Sequence, residues 1–132
     1  MLSHAGDPNP SGGLSPALDR STTFTDVAGE SAYGRSHSPT LQSVEATLGA
    51  IEDGIALGFS SGLGAWTTLC LALLRPGDVA VIPTRGYYGV ETHAQLMLEP
   101  WGVDVRRVDP IDTDALRHAA VGARLVLIET PS

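Results

Sequence analysis

An α/β fold built on a mainly parallel sheet is predicted for this chain, and three observations predict it. From Pro39 onward, short apolar runs alternate with longer segments of helical spacing. Turn residues punctuate the changes, among them Gly54, Pro76-Gly77-Asp78, Pro83 and Asp112-Thr113-Asp114. A turn of small residues, Ser60-Ser61-Gly62-Leu63-Gly64, stands between an apolar run and an apolar helix, as a strand opening into a helix would require.

Residues 1–39 are rich in Gly, Pro, Ser and Thr without periodicity and read as a loop-rich arm, within which residues 21–25 extend briefly. Ser38-Pro39 starts a helix, with Ser as N-cap and Pro at the first helical position. Leu41, Val44, Leu48 and Ile51 follow at helical spacing, and Gly54 closes the element. Residues 55–59 are a short apolar run expected as a buried parallel strand. Residues 63–74 are apolar nearly all round, as in a helix buried against a sheet.

Arg75-Pro76-Gly77-Asp78 then stops the chain, and Val79-Ala80-Val81-Ile82 is a strand ending at Pro83. A loop over residues 84–89 leads to a helix from about Val90 to Trp101. Residues 103–108 alternate, which suits a strand nearer a sheet edge, and Asp112-Thr113-Asp114 caps a short helix through Ala120. Leu125-Val126-Leu127-Ile128 is apolar throughout and is expected as a central buried strand. Parallel sheets bind ligands outside the carboxyl ends of their strands. Residues 60–63, 84–88 and 129–132 converge there.

The chain has 132 residues and a formal net charge of −7, which suits one soluble globular domain or part of one. Its basic residues are all Arg and scattered apart from Arg106-Arg107, so a nucleic-acid partner is not expected. The single cysteine, Cys70, sits inside the apolar helix and reads as a buried inert thiol. The four histidines show no metal-ligand spacing, so no metal is expected. No run is long enough to span a bilayer, and the N-terminus lacks a basic stretch followed by an apolar one. A cytoplasmic protein with no membrane partner is the expectation.

The Ser60–Gly64 region carries the chemistry. Free backbone N–H groups at a helix N-terminus and the positive end of its dipole suit an anion, usually phosphate. The turn could equally be a tight connection whose glycines permit close packing. GxGxxG fails because Thr67 stands at the third glycine, and GxxxxGK[ST] is excluded because the chain contains no lysine.

Four segments together resemble the Cys/Met-metabolism pyridoxal-phosphate enzymes, the transsulfuration group. Tyr33-Gly34-Arg35-Ser36-His37-Ser38-Pro39-Thr40 is similar to Y-x-R-x-x-N-P-T, and Ser61-Gly62-Leu63-Gly64-Ala65 to SGM-x-A. Pro76-Gly77-Asp78 and the aromatic loop after it resemble P-G-D and the Y-G-G-T region. Glu129-Thr130-Pro131-Ser132 resembles the start of E-T-P-S-N-P.

The resemblance implies a fold-type I enzyme with pyridoxal 5'-phosphate as cofactor. Residues 1–39 would be an arm crossing to the partner subunit, and residues 40–132 an incomplete cofactor-binding large domain. Gly62 and Leu63 would donate backbone N–H groups to the cofactor phosphate. Tyr33 and Arg35 would bind phosphate in the partner subunit, within a homo-oligomer that is a dimer of dimers.

Tyr87 would stack on the pyridine ring, by ungapped counting from Gly77, with Tyr88 as the alternative that one inserted residue allows. Glu129 would sit beside the cofactor, or else cap the next loop. Ser38 departs from the family's Asn and Leu63 from its Met.

The resemblance further implies a lyase or transferase acting on a small sulfur amino acid by β- or γ-elimination or replacement, nearest to cystathionine γ-lyase. Such chemistry needs a lysine to form a Schiff base with the cofactor, and none is present, so no catalytic residue is assigned. The expectation is an N-terminal part of a longer enzyme, inactive alone. Alternatives are a non-catalytic α/β module that binds a phosphoryl ligand, or a short product that only dimerises with the full-length enzyme.

Overall fold

A computed structural model describes residues 15–23, 33–35 and 38–130. Phe24 and Thr25 of the extended segment, Ser36 and His37 of the arm motif, and Pro131 and Ser132 of the final loop lie outside the described residues. The chain divides into two compact units, Met1–Gly58 and Phe59–Ser132.

In the first unit, Thr23 and Tyr33 form an antiparallel bridge, and the Gly34 N–H donates to the Thr22 carbonyl at 2.9 Å. Helix α1, Pro39–Glu52, begins as expected: Ser38 is extended, its hydroxyl accepts from the Leu41 N–H, and proline stands in the first turn. The helix ends at Asp53, which takes the left-handed position at φ 51°, while the Gly54 N–H bonds to the Gly49 carbonyl at 2.9 Å. The chain then returns along α1. A Cβ on Gly49 would lie 2.7 Å from the Gly54 carbonyl oxygen, so only glycine admits so close a return.

That return corrects the expectation for residues 55–59. They form no strand: Ile55 is 94% and Leu57 72% exposed, and the Gly58 N–H is taken by the Glu45 carboxylate at 2.7 Å. An apolar run signals a preference for burial, but a strand also needs a neighbour to satisfy its backbone. None pairs with it among the described residues.

The second unit holds a three-stranded parallel sheet. Strand β1, Val79–Pro83, is central; β2, Asp104–Val108, and β3, Leu125–Val126, flank it. Helix α2, Gly62–Leu73, precedes β1. Helix α3, Tyr88–His93, runs on into a π-helical turn, Ala94–Leu98, ahead of β2, and α4, Thr113–Ala119, lies between β2 and β3. Asp112 caps α4 through its side chain, which accepts from the Ala115 N–H.

Alternation along β1 sends Ala80 and Ile82 into a core with Trp66, Cys70, Leu74, Ala94, Leu98 and Val103, while Val81 is buried on the opposite face. The Pro-Gly-Asp turn positions β1. Its Gly77 takes φ 90° and donates to the Gly102 carbonyl at 2.7 Å, and the Asp78 carboxylate accepts the Arg75 N–H at 2.7 Å. Arg75 in turn donates to the Leu74 carbonyl at the end of α2, at 2.6 Å. Arg107 fastens the β2 edge to the helix before it, pairing with Glu91 at 2.9 Å and Glu99 at 2.8 Å.

Residues 103–108 lie at the sheet edge, as expected. Among the described strands, residues 125–128 do not lie at the centre. Only Leu125 and Val126 form β3, on the outer side of β1, and Ile128 is 60% exposed. An apolar run carries information about its two faces, whereas its place in the sheet order is set by the crossovers. Leu125 and Leu127 still pack on the core, and the Leu127 N–H bonds to the Val81 carbonyl at 2.9 Å. Likewise α2 is not enclosed: Trp66 and Cys70 are buried, but Leu69 and Leu71 are exposed.

Cys70 is fully buried, and desolvation pushes its thiol up from 9.0 to about 11. It is therefore a neutral, inert core group at physiological pH. In the native protein a thiol-specific disulfide reagent should label it only at the rate of unfolding. Labelling as fast as a free cysteine would show that this core is open.

Candidate functional site

Three loops do meet at the carboxyl end of the sheet. They enclose a cavity of about 440 Å³ lined by the start of α2, by Tyr87 just before α3 and Val90 within it, and by residues 127–129 after β3. All of its lining belongs to the second unit.

The floor is the first turn of α2. Ser61 is extended and caps the helix: its hydroxyl accepts the Gly64 N–H at 3.0 Å, and its carbonyl accepts the Ala65 N–H at 3.0 Å. That leaves the Gly62 and Leu63 N–H groups without an acceptor among the described residues. They stand at the positive end of a twelve-residue helix with no acidic residue in its first turn. A Cβ built on Gly62 would meet nothing within 4 Å, so the space in front of this turn is open.

Trp66 lines the same cavity one turn further on. It is 6% exposed, and its indole N–H is buried with no partner. Its ring meets His93 edge to face at a centroid distance of 6.4 Å. Burial holds the His93 imidazole below its ordinary value, so it is neutral at pH 7. The sequence reading missed Trp66. The signal was available: a large side chain at i+4 from Gly62 leans back toward the helix N-terminus.

Of the two adjacent tyrosines, Tyr87 lines the cavity. Tyr88 is 74% exposed and is not among the lining residues. Their rings meet at 4.9 Å, and the Tyr88 hydroxyl beside it raises the Tyr87 phenol above its ordinary value, which keeps it protonated. Tyr87 precedes α3 and folds back over Gly89, where a Cβ would run into its ring. Glu129 also lines the cavity, and its carboxylate accepts the Tyr87 N–H at 2.7 Å.

Tyr33 and Arg35 belong to the first unit and contribute nothing to this lining. Both are exposed, with the Arg35 guanidinium 4.6 Å from the centre of the Tyr33 ring. A second hollow, of about 540 Å³ along α1, has Glu45 and Asp53 in its walls and no basic group, which disfavours an anion there. No group of three or more His, Cys, Asp or Glu among the described residues is placed to hold a metal, and no described helix is long and apolar enough to cross a membrane.

Residues 4–132 match the family described as Cys/Met metabolism PLP-dependent enzyme. The chain belongs to that family. It is 34% identical over 138 residues to cystathionine gamma-synthase of Mycobacterium leprae (strain TN), a match covering 98% of this chain and 36% of that protein. It is also 34% identical over 146 residues to L-methionine gamma-lyase of Pseudomonas putida, covering 99% of this chain and 37% of that one.

Among solved structures it is similar to cystathionine gamma synthase from Xanthomonas oryzae pv. oryzae in complex with cystathionine. That match has a TM-score of 0.79 and 28% identity, and covers 98% of this chain and 35% of that one. The chain thus spans little more than a third of the length of these relatives. The parallel α/β sheet is that of fold-type I pyridoxal-phosphate enzymes, and the family's cofactor is pyridoxal 5'-phosphate.

Proposed function

We propose that this chain supplies the phosphate cup and one ring-facing wall of a pyridoxal-phosphate enzyme acting on sulfur amino acids by elimination or replacement at the β or γ carbon. The observation that carries the reading is the pair of unmatched N–H groups, Gly62 and Leu63, opening into a cavity with Tyr87 in its wall. The donor set fits the cofactor's phosphate: backbone N–H groups at a helix N-terminus, with open space before them. The size fits as well, since small-molecule sites run from roughly 300 to 1,000 Å³. When bound, pyridoxal phosphate supplies an electron sink that weakens bonds at an amino acid's α carbon.

In this reading Gly62 and Leu63 hold the phosphate, the Tyr87 ring covers the pyridine face, and Glu129 borders the ring. Tyr33 and Arg35 serve the partner subunit's phosphate in a homo-oligomer; their exposure supports that role. The substrate class comes from the relatives, which are named as a cystathionine synthase and a methionine lyase. The absence of lysine favours a second reading for these 132 residues taken alone, as a module that binds the phosphoryl ligand without turnover.

Titrating the protein with pyridoxal phosphate and with pyridoxal, followed by quenching of tryptophan fluorescence, tests the cup. The phosphorylated form should bind at least tenfold more tightly. Equal affinities would remove the phosphate reading. In the same titration Arg35→Ala should weaken binding only at concentrations where the protein is oligomeric; an equal loss in the monomer would count against its cross-subunit role.

A further inference from the structure

We infer that Glu129 is a positioning residue that acts through Tyr87 instead of touching the ligand. The inference rests on the proposed function for its ligand, but the clasp itself is geometric.

The Glu129 carboxylate reaches across 42 residues of sequence to accept the Tyr87 N–H at 2.7 Å. Tyr87 is the residue that opens α3, and it has no side-chain cap of its own. Two glycines make room for the contact. A Cβ on Gly86 would lie 2.9 Å from the Glu129 Oε2 and 2.9 Å from the Pro83 Cγ, so any larger residue there would displace the carboxylate. A Cβ on Gly89 would enter the Tyr87 ring. The backbone of Tyr87 is therefore held from the loop after β3, and its ring rests on the first turn of α3. Together these fix which way the ring faces the cavity.

Electrostatics argue the same way. A bare carboxylate in the wall of a cavity that receives a phosphate would oppose the ligand. Tied to an N–H, its charge is partly spent on a charge-assisted hydrogen bond. The arrangement thus couples the strand that ends the sheet to the ring that faces the ligand.

The test is a double-mutant cycle with a ligand-free readout. In the absence of ligand, Glu129→Ala should speed hydrogen exchange at the Tyr87 amide about tenfold, the value of losing one such bond, while β1 amides are unchanged. Glu129→Gln keeps an acceptor and should restore part of the protection. Affinities for pyridoxal phosphate and for pyridoxal should fall together, by about tenfold, with their ratio preserved, because the ring wall is affected and the cup is not. In a Tyr87→Ala background Glu129→Ala should cost nothing further.

Unchanged Tyr87 exchange in Glu129→Ala overturns the inference. So does a full additional loss in the Tyr87→Ala background, which would mean direct contact with the ligand. Gly86→Ala moves the carboxylate without removing it and should reproduce the exchange signature; if Glu129→Ala fails to fold, unchanged exchange in Gly86→Ala overturns the inference instead. Equal binding of the two ligands by the unmodified protein would defeat the proposed function alone, since the exchange experiment needs no ligand.

Discussion

Ile82→Ala should destabilise the protein by about 2–5 kcal/mol, enough to consume much of the 5–15 kcal/mol typical of a domain. Ile82 is 1% exposed on the central strand and shares its core with Trp66, Cys70, Leu74 and Leu98. Both sheet neighbours hang on β1, so the void left by the substitution cannot close by moving an edge.

Leu71→Ala is the matched control. It also truncates an aliphatic side chain, but on the exposed face of α2, where about 0.5 kcal/mol or less is expected. Urea unfolding followed by tryptophan fluorescence measures both. Equal costs would show that the face of α2 carrying Leu71 is covered in solution.

The contrast between that buried core and the exposed face of α2 marks what a sequence can convey. Local rules were legible wherever a residue acts on its own neighbours. Ser38-Pro39 capped a helix, Asp112 capped another, and Pro76-Gly77-Asp78 set the entry to β1. The Ser61 turn was legible for the same reason, since Ser61 accepts the Gly64 and Ala65 N–H groups of its own helix and leaves those of Gly62 and Leu63 without an acceptor among the described residues.

What failed depended on partners distant in sequence. Residues 55–59 have strand composition, yet Glu45 claims the Gly58 N–H. Residues 125–128 have the composition of a central strand, yet among the described strands only Leu125 and Val126 pair, with β1 alone. Tyr87 and Tyr88 cannot be separated by residue type. The structure separates them through Gly89, which admits the Tyr87 ring, and Glu129, which holds its N–H. Glu129 lines the cavity and holds the Tyr87 N–H, a contact between residues 42 apart in sequence that no local pattern displays.

Gly62→Pro should abolish most of the preference for a phosphorylated ligand while leaving the fold intact. Proline at the first helical position costs no helix hydrogen bond, because that N–H has no acceptor within the helix. The residue before a proline must be extended, and Ser61 already is, at φ −159° and ψ 156°. Beyond its chain neighbours and the adjoining helix backbone, nothing lies within 4 Å of the position a Cβ would take, so the new ring has room. The Ser61 cap on Gly64 is untouched.

What is removed is one of the two N–H donors that face the open space, and the ring's methylene groups enter the region the phosphate would occupy. A hydrogen bond to a charged group contributes about 1.5–3 kcal/mol, so affinity for pyridoxal phosphate should fall at least tenfold. Affinity for pyridoxal, which has no phosphate to lose, should change little. The Ile82→Ala measurements set the scale for a true folding defect, and Gly62→Pro should stay well inside it. If the variant unfolds as readily as Ile82→Ala, the turn is structural and its free donors are incidental. If it folds and still prefers the phosphorylated ligand as strongly as the unmodified protein, the phosphate is held elsewhere.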